Sequence, residues 1–343
     1  MKIQRQLLCR IGLLLGTTTV AFSLSAQEAT VAFYNVENLF DTQDDSLTQD
    51  EEFLPYGVRG WTHKRLHTKY RHLYKVIAGI APHWQPPALV ALAEVENRSV
   101  LEGLLRHTPL HRHYRIIHEE SPDRRGIDVA LLFDPAQFQY LHHETIPVNL
   151  HPLSDRPTRD ILYVRGVLFE TDTIHYFINH WPSRYSGVTP SAPLRQRAAT
   201  VLRDRLRVLQ SVCPDALVIV AGDFNDNPAD ESVRMLCDTR AFSREMVNIS
   251  DYDQLGTHKY QGEWNTFDQF LVSQNLLSTT SSVYVKDRRA RVYDPSWLLE
   301  EDHAQLGFRP RRTYVGYRYQ GGFSDHLPVY IQLREKSAEV AGK

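Results

Sequence analysis

Apolar and polar positions alternate along most of this chain. Short runs of β-branched, aliphatic and aromatic residues recur between residues 30 and 333, and turn-forming residues separate them. Such runs, bounded by Gly, Pro, Asn, Asp or Ser, read as strands with one or both faces buried. The pattern predicts strands near 30–35, 88–95, 114–118, 127–133, 161–169, 174–180, 216–221, 266–272, 281–285 and 327–333. Two stretches carry the helical period instead. Leu66, Tyr70, Leu73, Ile77 and Ile80 share one face over 64–80. Leu194, Ala198, Val201, Leu202, Val208 and Leu209 do the same over 192–211. Shorter helices fit 99–107 and 229–237, the latter opening after Pro228. Many strands with few long helices predict two stacked sheets with helices outside. The connections 41–63 and 286–313 show neither period and are expected to be long loops.

The first residues do not share this pattern. Lys2, Arg5 and Arg10 precede an apolar run from Ile11 to Leu24, and small residues Ser23, Ser25 and Ala26 come next. That order is the order of a secretory signal peptide, and the run is too short for a comfortable membrane span. Residues 1–26 are therefore expected to be a cleaved leader, and the protein periplasmic or extracellular. An uncleaved anchor or a buried first helix is the alternative. Cys9 lies inside the basic stretch, so Cys213 and Cys237 would remain, bridged or free. No Gly/Ser linker or charge block divides the chain beyond the leader. A single catalytic domain over 27–337 is expected, with a tail at 338–343 and a monomeric state.

Composition narrows the class. The 343 residues include 39 Lys plus Arg against 41 Asp plus Glu, a net charge of -2, with 42% hydrophobic and 23% charged residues. A disordered chain would be poorer in apolar residues. Near-neutral charge excludes a protein that coats nucleic acid by bulk electrostatics, but not an enzyme that engages a phosphodiester locally.

Chemistry concentrates where the apolar runs stop. VAFYNVENLFD ends on Asn35 and Glu37, ALVALAEVENR on Glu94 and Glu96, and HYFINHWPSR on Asn179, His180 and Arg184. LVIVAGDFNDNP brings Asp223, Asn225 and Asp226, NTFDQFLVS brings Asp268, and GGFSDHLPV brings Ser324, Asp325 and His326. Each alone reads as a turn former, a helix cap or half of an ion pair. Together they put several carboxylates at buried strand ends, where an uncompensated charge costs several kcal/mol. A divalent cation is the simplest compensation. Oxygen donors without a cysteine cluster point to Mg²⁺, Mn²⁺ or Ca²⁺.

The ordered set Asn35, Glu94, His180, Gly222-Asp223-Phe224-Asn225, Asp268 and Ser324-Asp325-His326 resembles the endonuclease/exonuclease/phosphatase (DNase I-like) superfamily. Its opening, its NHWPSR segment and its ending look most like the secreted bacterial branch. The resemblance covers residues 30–334 and implies a four-layer α/β sandwich, two mixed β-sheets face to face with helices outside. It implies that Glu94 is the main metal ligand, with Glu37 and Asp325 in the same shell and Mg²⁺ or Mn²⁺ as the ion. Asn35 would orient that ligand and the phosphate, and Asn225 would hydrogen-bond a phosphate oxygen. Asp223 would align or deprotonate the attacking water, and His180 would contact the phosphate or act as general acid. His326 would contact the phosphate or assist the nucleophile, held by Asp268. Arg184 is a fixed positive charge for phosphate or a structural salt bridge, and Asp128 a candidate to orient His180.

The substrate expected is a phosphodiester, a nucleic-acid backbone first. A sphingomyelinase-like lipid phosphodiesterase, an inositol-phosphate phosphatase and an inactive binding protein on the same fold are the alternatives. The 286–312 loop carries Lys286, Arg288, Arg289, Arg291, Arg309, Arg311 and Arg312 against five acids, with Tyr293, Trp297 and Phe308, a mixture suited to backbone charge and base stacking, to lipid headgroups, or to a solvated loop. The 41–63 segment is acidic and would repel a nucleic acid; it reads first as a solvated lid or flap, and otherwise as a site for a second cation.

Overall fold

Strand alternation sorts the side chains of this protein into faces, and each face has its own layer to fill. The computed structural model describes residues 27–82, 85–238, 246–250, 252 and 256–336; the expected leader and tail lie outside them. Helices and strands are numbered in chain order. One sheet contains β1 (Glu28–Leu39), β2 (Leu89–Val95), β3 (Arg115–His118), β4 (Asp128–Phe133), β13 (Val283–Val285), β14 (Arg291–Val292) and β19 (Val329–Glu335). Their order is β13-β19-β1-β2-β4-β3, with β14 also beside β19. The second sheet runs β5 (Phe138–Ile146), β6 (Ile161–Leu168), β7 (Asp172–His180), β8 (Leu217–Asp223), β12 (Asp268–Ser273), β9 (Met246–Asn248). Neighbours β1 with β2 and β7 with β8 are parallel, whereas β19 runs against β1 and β12 against β8. Both sheets are therefore mixed.

The inner faces meet. Val31 and Phe33 of β1, Leu89 and Ala91 of β2, and Leu131 of β4 pack against Ile174, Tyr176 and Ile178 of β7, Ile219 and Ala221 of β8, and Phe270 of β12. The outer face of the first sheet, with Ala32, Tyr34, Val90 and Leu92, is covered by α1 (His63–Ile80) and α2 (Arg98–Arg106). The outer face of the second, with Phe177, Val218 and Val220, is covered by α3 (Val188–Val212). Each fully buried aliphatic side chain contributes about 1.5–3 kcal/mol. The result is the expected helix–sheet–sheet–helix stack.

Some elements differ from the expectation. Strand β5 escapes the periodicity because it is an edge strand whose middle residues are solvent-exposed. The helix near 229–237 shrinks to α4 (Glu231–Arg234). The 286–313 connection is not irregular throughout, since β15 (Leu299–Glu301) and β16 (Phe308–Pro310) form a hairpin. Two further hairpins, β10 (His258–Tyr260) with β11 (Glu263–Asn265) and β17 (Tyr314–Val315) with β18 (Arg318–Tyr319), add to this rim. Cys213 and Cys237 are not joined by a disulfide. Among the described residues no helix is long and apolar enough to cross a membrane.

Candidate active site

The same alternation that builds the inner core aims the site. Asn35 is in phase with Val31 and Phe33, His180 with Tyr176 and Ile178, Asp223 with Ile219 and Ala221, and Asp268 with Phe270. Because β19 and β12 run opposite to β1 and β8, the start of those strands lies at the same end as the finish of β1, β2, β7 and β8. Their polar ends thus gather at one edge of the sandwich. Register fixes the pairs: His180 lies opposite Asp223 across β7 and β8, and Asp268 opposite Asp223 across β8 and β12. The neighbouring Gly222 has no room for a side chain, since a Cβ there would lie 2.3 Å from the Asn179 carbonyl oxygen.

Glu94 needs a local break. Val90, Leu92 and Val95 all face the helices, so the phase slips at residue 94. The slip is a bulge between Ala93 and Val95, with Glu94 at φ 64. Left-handed backbone is rare for such a residue and its cost persists where the surroundings impose it. Here it re-aims the carboxylate toward Asn35. Glu37 and Asn38 also have positive φ, at a matching slip in β1.

Side chains from both sheets form a connected cluster. Asn35 Nδ2 donates to Asp223 Oδ2 at 3.0 Å and to Glu94 Oε1 at 3.3 Å. His180 Nε2 lies 3.7 Å from that Asp223 oxygen and 3.9 Å from that Glu94 oxygen. His326 Nε2 lies 3.8 Å from Asp223 Oδ2, while its Nδ1–H donates to Asp268 Oδ2 at 2.7 Å. Ser324 Oγ donates to the Asn35 carbonyl at 2.7 Å and fixes the turn before His326. The electrostatics separate the two histidines. Burial and the charges of Arg159 and Arg125 hold His180 well below its ordinary pKa. Burial opposes charge on His326 as well, but Asp268 and Asp223 outweigh it and hold that ring well above. Burial, with Asp268 adding, pushes Asp223 up to about 6.

The donor set fits a hard divalent cation. Asp223, Asp268 and His326 offer ligand atoms within 4.8 Å of one another, and Asp268 Oδ1 is buried without a hydrogen-bond partner. Glu94 and Asp325 add partly exposed carboxylates. Glu37 is placed differently from a free ligand. Its oxygens accept the amides of Thr313 at 2.6 Å and Tyr314 at 3.2 Å, and burial pushes it up to about 7.

Other placements bear on the remaining expectations. Arg184 donates to the Asn225 carbonyl, Asp226 and Asp230 at 2.6–2.7 Å, the structural salt bridge of its two expected readings, and so cross-links the loop after β8. Asn225 turns its amide to the Trp181 carbonyl at 3.1 Å. Asp128 does not reach His180; it is in phase with Ala130 and Leu132, which face the helices. The basic loop divides. Arg288 shares a cavity with Asp172 and Leu217, where β7 and β8 begin. Eight strand steps separate Asp172 from His180, a span on the order of 26 Å. Arg312 is at the site, its guanidinium 2.7 Å from Asp325 Oδ2, and with His326 it holds Asp325 at about 2 against burial.

Three residues not singled out from the sequence support the cluster. Lys69 is buried on α1 and donates to Thr313 Oγ1 at 2.7 Å and to the Phe323 and Glu37 carbonyls at 2.6 and 3.3 Å. Its place in the apolar stripe with Leu66, Tyr70 and Leu73 is a usable signal. Arg159 donates to the His180 and Trp181 carbonyls. His258 on β10 packs its ring 4.7 Å from that of His326, and burial lowers it to about 3.

Acids, amides and imidazoles gathered at one edge of a two-sheet sandwich form a site suited to an anionic substrate and a hard cation. Residues 30–335 match the Endonuclease/Exonuclease/phosphatase family, and the chain belongs to that family. Solved structures share the fold. An endonuclease/exonuclease/phosphatase family protein from Bacteroides thetaiotaomicron is 14% identical with a TM-score of 0.55, covering 91% of this chain and 99% of that one. The human Nocturnin catalytic domain with bound sulfate is 14% identical at a TM-score of 0.56, covering 90% and 97%. A mannosyl-6-phosphatase from Bacteroides thetaiotaomicron is 16% identical at 0.54, covering 89% and 99%. No curated protein sequence matches this chain.

Proposed function

We propose that this protein is a divalent-metal-dependent phosphoesterase that hydrolyses phosphodiesters by attack of water, with a nucleic-acid backbone as its substrate. The convergence of Asn35, Glu94, His180, Asp223 and the Asp268–His326 pair on one cluster carries the reading. Glu94 and Asp325, the partly exposed carboxylates of the site, would hold Mg²⁺ (Mn²⁺ and Ca²⁺ are the other ions to assay), and the ion would supply charge stabilisation to the phosphoryl oxygens. The chain's own groups do the rest. Asp223 Oδ2 accepts the proton of the attacking water, a task suited to a carboxylate raised toward neutrality. His326, charged and held by Asp268, presents Nε2 to a phosphate oxygen. His180, a neutral ring, sets its Nε2 3.7 Å from Asp223 Oδ2, and Asn35 fixes Glu94 and Asp223 relative to each other.

The nucleic-acid reading rests on the rim. Arg312 adds a guanidinium beside the cluster. The hairpin that brings His258 onto His326 also exposes Tyr260, and the β15–β16 hairpin exposes Phe308. Lys259 ties the two hairpins through its 2.7 Å bond to the Leu306 carbonyl. Exposed aromatic rings on two hairpins suit stacked bases, while the nearby Arg312 and Lys259 are paired with Asp325 and Asp302. Export, drawn from the leader sequence, is tested by the N-terminal residue of the isolated protein. A panel assay with Mg²⁺ tests the substrate: duplex and single-stranded DNA, RNA, sphingomyelin, inositol polyphosphates and an aryl phosphodiester. Cleavage of DNA or RNA is expected. Turnover of only a lipid or a monoester would overturn the nucleic-acid reading and keep the phosphoesterase. No turnover with any divalent ion would favour a binding protein on this fold.

A further inference from the structure

The outer edge of the first sheet holds a second group of ligating side chains, separate from the cluster above. His118 closes β3 and pairs across the register with Ala130 of β4, two residues beyond Asp128. Both therefore point to the helix side of the sheet. Glu120 comes next, on the link that leaves β3. Ligand atoms of His118, Glu120 and Asp128 all lie within 4.8 Å of one another.

Two observations show that these atoms are not satisfied by each other. His118 is 7% and Asp128 1% exposed, yet His118 Nε2 and Asp128 Oδ2 lack a hydrogen-bond partner although they lie 3.4 Å apart. An ordinary His–Asp pair would aim the N–H at the oxygen and close to about 2.8 Å. The second is like charge. The Glu120 and Asp128 carboxylates come within 4.8 Å of each other, with the single His118 imidazole to offset two negative charges. Ser121 satisfies only the other Asp128 oxygen, through its amide at 3.0 Å and its hydroxyl. Two donors each about 2.1 Å from one tetrahedral ion stand about 3.4 Å apart, which is the separation seen.

We propose that His118, Glu120 and Asp128 bind a divalent transition ion, Zn²⁺ first. One imidazole and two carboxylates select Zn²⁺ over Mg²⁺, which prefers an all-oxygen shell. The ion acts as a clip. It fastens the 119–127 link, which also carries Asp123, to the sheet. Asp123 pairs with Arg159 at 3.1 Å, and Arg159 holds the carbonyls of His180 and Trp181.

Zn²⁺ titration calorimetry of the whole chain tests this, in saturating Mg²⁺ to occupy hard-oxygen sites. The Glu120 side chain is 64% exposed, so Glu120→Gln removes a ligand without disturbing the core. The expected result is loss of one Zn²⁺ equivalent, or at least about tenfold weaker binding at that equivalent, in Glu120→Gln and in His118→Asn. Glu94→Gln should keep it. Zn²⁺ should also slow hydrogen exchange across 119–127 in the parent chain and not in Glu120→Gln. Absence of Zn²⁺ binding to the parent chain, or a stoichiometry and affinity unchanged in Glu120→Gln, would overturn the proposal. Neither readout depends on phosphoesterase activity.

Discussion

Replacing Asp268 by Asn removes the negative partner of His326 and one of the charges that raise Asp223. Asp268 is fully buried and its Oδ2 lies 2.7 Å from His326 Nδ1. Two unit charges at that spacing attract by about 6 kcal/mol at an effective dielectric of about 20. Desolvation of both groups opposes this, and breaking a buried pair costs about 3–5 kcal/mol in practice. His326 can escape part of the cost by releasing its proton, so the stability loss should fall at or below the lower end. Activity should fall further, because a neutral or rotated imidazole no longer faces the phosphate; about 10²–10⁴ in kcat is expected. The assay is kcat on an aryl phosphodiester for Asp268→Asn, His326→Ala and the double variant, with urea unfolding of each. The two residues act as one unit, so the double variant should be little worse than the worse single. Independent losses that add within about 0.5 kcal/mol would refute the coupling.

Other side chains give outcomes of their own. Gly222→Ala would set a Cβ 2.3 Å from the Asn179 carbonyl oxygen, and should lower the unfolding free energy by several kcal/mol in a denaturant titration. Arg184→Ala should cost about 1–3 kcal/mol of stability by removing one partner each from Asp226 and Asp230, with KM nearly unchanged; a raised KM at full stability would support a phosphate role. Arg312→Ala should raise KM for DNA and flatten its salt dependence, whereas Arg288→Glu should leave both alone. His175, buried beside Tyr163, is lowered from 6.5 to about 4. The unfolded chain takes up that proton first, so stability should fall as pH drops from about 6.5 toward 4, and His175→Gln should flatten this slope in unfolding curves.

The inner layer is legible in the sequence because its period is regular. Val31, Phe33 and Asn35, or Ile219, Ala221 and Asp223, read as one face that turns from apolar to polar at the strand end. That regularity is why the chemistry of the cluster can be named from the chain alone. The rest depends on partners distant in the chain. Nothing near Arg184 in sequence says that Asp226 and Asp230 fold back on it. The bulge at Glu94 leaves the run ALVALAEV looking like an unbroken strand. Asp128 stands at the head of an apolar run, as a site residue would, but its face is set by Ala130 and Leu132. Basic residues in one loop look like one patch until the sheets put Arg288 and Arg312 at different places. Strand β5 is too exposed to alternate.

The buried carboxylates and imidazoles at the shared sheet edge are proposed to serve a metal-dependent hydrolysis. The most direct test is phosphodiester turnover by the metal-stripped protein before and after addition of Mg²⁺, with Glu94→Gln alongside. The expected outcome is no turnover in excess chelator, recovery on adding Mg²⁺ or Mn²⁺, and several orders of magnitude less activity in a fully folded Glu94→Gln. Undiminished turnover in excess chelator, or in Glu94→Gln, would contradict it.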